Sequence, residues 1–544
     1  MKILKLVLAI SFASSAMFPS HAQMPKNTYS LDVQVKTQNG ILEGEFDTRS
    51  KVASFKGIPF AQAPVGELRW KAPQAPKSWS GVLQAKQFGP KAVQTPIFGD
   101  MGFRSNGMSE DCLYLNVWSP QPNEGAKLPV LVYFFGGGFM AGDGSEPRYD
   151  GESMAKKGVV SVTINYRLNI FGFFAHPELT KESPNKASGN YGLMDMNAAL
   201  KWVKGNIAAF GGDPNHVTIA GESAGSIAVS AQMASPLSKG LFHAAIGESG
   251  GWFSGILGGN TLANTEKEGL DWANKIGATS LKALRALSTY ELYQKMVESK
   301  KLSFPMNIDG YFMPKTARAI FEAGEQAQVP LLLGWNSEEA NSRAVSKGQA
   351  ITKESYPAMI KDLYKEKADQ VLQLYPGNTN EEAEQSATDL AGDRFLGYTT
   401  WKWFDLHRKH SQQAIYRYYF ARPRPDMIQK DVEAAMAGGV VKRDPNAPKA
   451  AKPKGAVHSA EIEYALGNLS TNLVYDWQSD DYKVSKTMQE YFANFIKNYD
   501  PNGPSLGQWA PAKNVAQPEV MIFDVDSKLV KSTTEARYEF LDKN

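Results

Sequence analysis

Short apolar runs alternate along the chain with stretches whose apolar residues recur at helical spacing. Residues 130–135 (VLVYFF) and 159–166 (VVSVTINY) are rich in β-branched and aromatic side chains and predict strands. Across 196–210, Ala199, Leu200, Val203, Ile207 and Ala208 fall on one helical face and predict a helix. Another strand is expected at 216–220 (HVTIA), then a helix over 224–233. Later strands are expected at 244–246, 329–333, 414–420 and 520–523. Strands separated by helices predict an α/β fold around a mainly parallel sheet. No internal repeat is present.

Composition narrows the class. The chain has 544 residues, 42% hydrophobic, with 47 Gly and one Cys. Length alone suggests three or four domains at roughly 150 residues each, although α/β folds often exceed that size. The net charge of +3 gives no electrostatic footprint for nucleic acid. A single cysteine excludes an intramolecular disulfide, a cysteine-based zinc site and an iron–sulfur cluster. At the N-terminus, Lys2 and Lys5, an apolar run over 6–18 and Ser20-His21-Ala22 read as an export signal cleaved after residue 22. That implies a periplasmic or secreted protein, and no other stretch is long and apolar enough for a membrane anchor. Residues 438–455 hold three Pro, three Gly and five Lys or Arg, and read as a mobile basic loop, either simply solvated or in contact with an acidic or bulky substrate.

A G-x-S-x-G string occurs twice, at Gly221-Glu222-Ser223-Ala224-Gly225 and at Gly247-Glu248-Ser249-Gly250-Gly251. The string acquires meaning only between a strand and a helix. There a sharp turn exposes the Ser Oγ, and the helix N-terminus faces developing negative charge. Ser223 has both flanks. Ser249 is followed by GGWFSG, poor helix material, and reads as a strand end with a tight turn. The context therefore selects Ser223 as nucleophile. Gly136-Gly137-Gly138 directly follows VLVYFF, where glycines let backbone N–H groups approach an oxyanion. No Gly-Lys-Ser/Thr follows the triplet, so it is not a P-loop. Ala224 would add the amide just after the nucleophile.

In the order nucleophile, acid, base, three of the seven histidines lie late enough: His407, His410 and His458. The first two sit in WKWFDLHRKH, which reads as a helix surface; His458 sits in a loop and is the preferred base. The run VPLLLGWNSEEANS places Glu338 and Glu339 just after a strand, and spacing alone does not choose between them. Phe139, Met140, Trp252 and Phe253 flank these segments and are candidate substrate contacts, or equally ordinary core.

The blocks FKGIPFAQAPVGELRW, SEDCLYLNVWSP, FFGGGF, VTINYR, SGNYGLMDMNAALKWVKGNIAAFGGDPNHVTIAGESAGS and HSAEIEYALGN stand in the order found in the type-B carboxylesterases. The chain resembles that family, which includes cholinesterases and bacterial para-nitrobenzyl esterases, over nearly its whole length. The resemblance implies an α/β-hydrolase fold: a large, mostly parallel central sheet with helices on both faces and sizeable insertions, as one domain over 23–544. It implies a triad of Ser223, Glu339 and His458, which selects Glu339 over Glu338, with oxyanion amides at Gly137, Gly138 and Ala224. It implies hydrolysis of small-molecule carboxylic esters with no metal or organic cofactor, or a lipase, polyester or aromatic-acid variant of that chemistry. Adhesion members of the family lack the nucleophile, so a non-catalytic binding protein is the rival class. Two departures stand out. Phe135 occupies a place often held by His or Tyr, so a hydrogen bond behind the glycine loop is expected to be lost. Cys112 keeps a family position whose partner is replaced by Ala92, which implies a buried free thiol, with an intermolecular bridge as the alternative. Oligomeric state does not follow from the residues.

Overall fold

A computed structural model describes residues 29–253, 259–434, 439–444, 452–512 and 517–544. The export signal expected over 1–22 lies outside the described residues. The strands are β1 (Ser30–Lys36), β2 (Ile41–Asp47), β3 (Val52–Pro59), β4 (Val82–Gln84), β5 (Tyr114–Ser119), β6 (Leu128–Phe134), β7 (Val160–Ile164) and β8 (Gly212–Glu222). They continue with β9 (Ala244–Glu248), β10 (Leu331–Asn336), β11 (Ile415–Phe420), β12 (Val432–Ala434), β13 (Val440–Lys442), β14 (Glu519–Phe523) and β15 (Lys528–Lys531).

Thirteen of them form one sheet in the order β1-β2-β3-β5-β7-β6-β8-β9-β10-β11-β14-β15, with β4 beside β2. From β7 to β14 every neighbouring pair is parallel, and antiparallel strands extend the sheet at both ends. β7, β9 and β10 are buried at every position, which explains their unbroken apolar reading: a parallel strand is covered on both faces. Flanking helices supply that cover. Helix Ala224–Ala234 is buried at all eleven positions and packs on β6, β8 and β9. The main apolar core runs from Val35 to Tyr538, and a second, smaller cluster gathers Tyr356, Ile360, Tyr375 and Leu390 among the inserted helices. Among the described residues no helix is long and apolar enough to cross a membrane.

The expected elements occur, with shifted ends. The helix expected over 196–210 starts earlier, as Tyr191–Asn206, and tightens into a 3-10 turn at Ile207–Phe210. β8 extends well beyond the expected 216–220 and ends at Glu222, one residue before the nucleophile candidate. The basic segment 438–455 is in part ordered pairing: β13 runs antiparallel to β12, and Gly99 N–H donates to Val440 O (2.8 Å). Residues 438 and 445–451 of that segment lie outside the described residues. Cys112 is a buried free thiol, and burial pushes its pKa up and keeps it protonated.

One expectation fails by burial. WKWFDLHRKH does form a helix, Tyr398–His410, but His407 is fully buried and only its last residues reach the surface. The helix is wrapped by protein, and its charges are paired internally: Lys402 with Asp542, and Asp405 with Arg408 and Lys409. Burial pushes the His407 ring down to about 4, so it is neutral and hydrogen-bonded to Val329 O.

Candidate active site

The site forms where parallel strands end side by side. Ser223 follows β8 directly with φ 56° and ψ −120°, a strained conformation held because the chain must turn straight into helix Ala224–Ala234. The two motif glycines permit this crossing. A Cβ on Gly221 would lie 2.6 Å from the Gly225 carbonyl carbon, and one on Gly225 only 2.0 Å from Phe134 O. Hydrogen bonds between neighbouring strand ends then fix the register: Ser223 N–H donates to Glu248 O (2.8 Å), and Ser249 N–H to Gly334 O (2.9 Å).

On this floor the three sequence-distant groups meet. His458 Nε2 lies 2.9 Å from Ser223 Oγ, and His458 Nδ1 lies 2.7 Å from Glu339 Oε2. The other oxygen of Glu339 accepts from Asn336 N–H (2.7 Å) and from Ser249 Oγ (2.5 Å), so with His458 the carboxylate is held by three groups. The structure thus separates the two adjacent glutamates. Glu338 faces the other way, accepting from the amides of Lys454 (3.0 Å) and Gly455 (2.8 Å), and ties down the loop that carries His458.

The glycine triplet lies across from Ser223. Gly137 has φ +105°, and a Cβ there would sit 2.1 Å from Ala141 O, so only glycine fits the turn. Among the described residues the amides of Gly137, Gly138 and Ala224 donate no hydrogen bond. The loss expected behind the loop at Phe135 is made good from elsewhere. Tyr166 Oη donates to Phe135 O (2.7 Å), and the two rings stack at 4.2 Å.

Ser223, His458, Gly137 and Gly138 open on a cavity of about 390 Å³, walled by side chains such as Phe98, Met101, Ile227 and Phe395. Of the four candidate substrate contacts, Met140 and Trp252 line it. Phe139 and Phe253 do not. Phe139 turns into the core against Tyr166 and Phe173, and Phe253 packs on Phe321 and Trp403, where flat rings fill space between elements.

Sequence reasoning missed the buried carboxylates around the imidazole. Glu222 Oε1 lies 3.2 Å from His458 Nε2, a charge contact without hydrogen-bond geometry. Glu461 accepts from Asn336 Nδ2 (2.5 Å) and from Ser249 Oγ (3.3 Å). Burial pushes Glu222 up to about 8 and Glu461 up to about 7. Burial alone would favour the neutral His458 ring, but the charges of Glu222 and Glu339 outweigh it and lift the imidazole to about 9. A signal was present: both motif copies carry Glu just before Ser, and Glu461 follows His458 by three residues. Only the convergence of strand ends reveals that these charges are buried together.

Comparison with known proteins agrees with this architecture. The carboxylesterase family model matches residues 31–541. The fumonisin B1 esterase of Sphingopyxis macrogoltabida is 40% identical over a match covering 66% of this chain and 65% of that protein. The para-nitrobenzyl esterase of Bacillus subtilis is 32% identical over 90% of this chain and 94% of its own. A solved carboxylesterase structure from Geobacillus stearothermophilus superposes with a TM-score of 0.76 at 28% identity, covering 93% of this chain and 99% of that one. With a family match over residues 31–541, that fold and a serine at the strand-to-helix turn, the chain belongs to the carboxylesterase family and is a serine hydrolase of carboxylic esters.

Proposed function

We propose that ester hydrolysis proceeds through an acyl-enzyme on Ser223, with His458 as general base and acid and Glu339 as its orienting carboxylate. The observation that carries this reading is the continuous hydrogen-bond path Ser223 Oγ–His458 Nε2–Glu339 Oε2 at the cavity floor. Ser223 Oγ attacks the ester carbonyl carbon as its proton passes to His458 Nε2. Glu339 holds the Nδ1–H tautomer and stabilises the imidazolium without taking the proton. The amides of Gly137, Gly138 and Ala224 receive the oxyanion; all three are uncommitted, so they need not break other bonds to do so. Collapse of the tetrahedral intermediate breaks the bond to the alcohol oxygen, which leaves with the proton from His458. Water then attacks the acyl carbon and gives a proton to His458, which returns it to Ser223 Oγ as the acyl–oxygen bond breaks; free Ser223 is restored and the product acid leaves and ionises to the carboxylate. Met140 and Trp252 bound the space for the ester's apolar part.

A fluorophosphonate probe tests the assignment. Stoichiometric labelling should map to Ser223 and disappear in Ser223→Ala; labelling at Ser249 or no labelling overturns it. We further propose that residues 1–22 direct export and that 23–544 form one catalytic domain. Lys2, Lys5 and the Ser20-His21-Ala22 segment support the first reading, and the family match over 31–541 supports the second. A mature protein beginning at Gln23 in the exported fraction is the expected outcome; an intact Met1 terminus there would refute cleavage.

A further inference from the structure

The cavity above Ser223 has a charged wall that the chemistry proposed above does not use. Asp100 and Arg148 both line it, with side chains only 2% and 4% exposed. Arg148 spends its Nε on Glu146 Oε1 (2.6 Å), leaving the forked end of the guanidinium toward Asp100. There the closest approach, Nη2 to Oδ2, is 3.6 Å, beyond hydrogen-bond distance. Among the described residues neither Asp100 oxygen receives a hydrogen bond, although both are buried.

The arrangement is held from behind. Gly99 N–H is bonded to Val440 O (2.8 Å), which fixes the segment carrying Asp100 against β13. A Cβ on Gly439 would come within 3.1 Å of Asp100 Oδ1, so the backbone closes tightly on that side. The Arg148 carbonyl accepts from Asn468 Nδ2 (3.0 Å), which anchors the guanidinium's own backbone. A buried carboxylate without donors is costly, and a group that brings an O–H to it recovers that cost.

Charge selects the kind of group. A cation would be drawn to Asp100 but repelled by Arg148. An anion would meet Arg148 but face Asp100, and Glu222 lines the same cavity. A neutral hydroxyl satisfies both walls, because it donates to a carboxylate and accepts from an N–H at once. We propose that Asp100 and Arg148 form a specificity subsite that reads a neutral hydroxyl group on the ester. The inference rests on the ester hydrolysis proposed at Ser223 and adds a substrate class to it: hydroxyl-bearing esters over their deoxy counterparts.

Matched substrate pairs test it on the full-length enzyme. Methyl 4-hydroxycinnamate against methyl cinnamate places the hydroxyl on the acyl side; glycerol monobutyrate against propyl butyrate places it on the alcohol side. In one of the two pairs the hydroxylated ester should have a kcat/KM at least about tenfold higher, the scale of one hydrogen bond to a charged group. Asp100→Leu and Arg148→Met should each reduce that ratio by about tenfold or more. Asp100→Asn keeps shape and an acceptor but loses charge, so it should give an intermediate ratio, and it keeps the test available if the apolar variants fail to fold. A ratio within about twofold of wild type in the folded variants, or a deoxy preference in both pairs, overturns the proposal. So does a preference for butyrylcholine or monoethyl succinate, which carry the charged alternatives. Failure of the underlying hydrolysis looks different: deoxy ester turnover would then persist in Ser223→Ala.

Discussion

The two G-E-S-x-G turns of this chain are close structural copies with different surroundings. Each closes a buried parallel strand, each places Glu last in the strand, and each holds its serine at φ 56°. At Ser223 a helix follows at once, the side chain is partly exposed to the cavity, and His458 is in contact. At Ser249 the chain runs on through Gly250 and Gly251, the side chain is fully buried, and Oγ points to Glu339 and Glu461. The motif therefore marks a strained strand end. What the next residues do, and what faces the hydroxyl, decides between attack and support.

The largest expected difference between the copies lies in the serines themselves. Ser223→Ala should lower kcat by about 10³ to 10⁶, as for other triad knockouts, in a steady-state assay with a nitrophenyl ester. Retained turnover would erase the distinction between the turns. Next comes the carboxylate the two turns share. Glu339→Gln should cost about 10² to 10⁴ in kcat by favouring the wrong imidazole tautomer. Glu338→Gln, which keeps an acceptor for the Lys454 and Gly455 amides, should stay within about fivefold, since a neutral hydrogen bond replaces a charged one. Equal losses would move the orienting role off Glu339.

Ser249→Ala comes third. It removes one of two non-imidazole donors to Glu339 and should lower kcat by about tenfold with KM little changed. An unchanged kcat would make the second turn purely structural. The smallest effect concerns Glu222, the residue before the first serine. Its negative charge favours protonated His458, and the neutral ring is the proposed base. Glu222→Gln should therefore shift the acid limb of kcat/KM to lower pH. A shift to higher pH would contradict the sign of the contact.

Much of the sheet was legible because its central strands are buried on both faces and so read as continuous apolar runs. Ser223 was legible because a strand and a helix bracket it, and Glu339 only through the family's spacing. Burial of polar residues was not legible. His407 lies among Lys402, Asp405, Arg408 and Lys409, letters that suggest water, yet ion pairs and a wrapped helix remove most of them from it. Glu222, Glu248 and Glu461 were passed over for the same reason. Phe139 and Phe253 show the converse: proximity in sequence to a catalytic segment does not say which side of the turn a ring enters.

The hydrogen bond between Ser223 and His458 spans 235 positions of chain. Closing so long a loop is an entropic cost met only when β10, β11 and the intervening helices are in place. During synthesis the serine turn can form long before His458, its proposed base, has left the ribosome, and without that imidazole Ser223 lacks the proton acceptor proposed for it. On the proposed mechanism the enzyme thus has a built-in delay: the ester-cleaving centre switches on only when nearly the whole polypeptide has been made and folded.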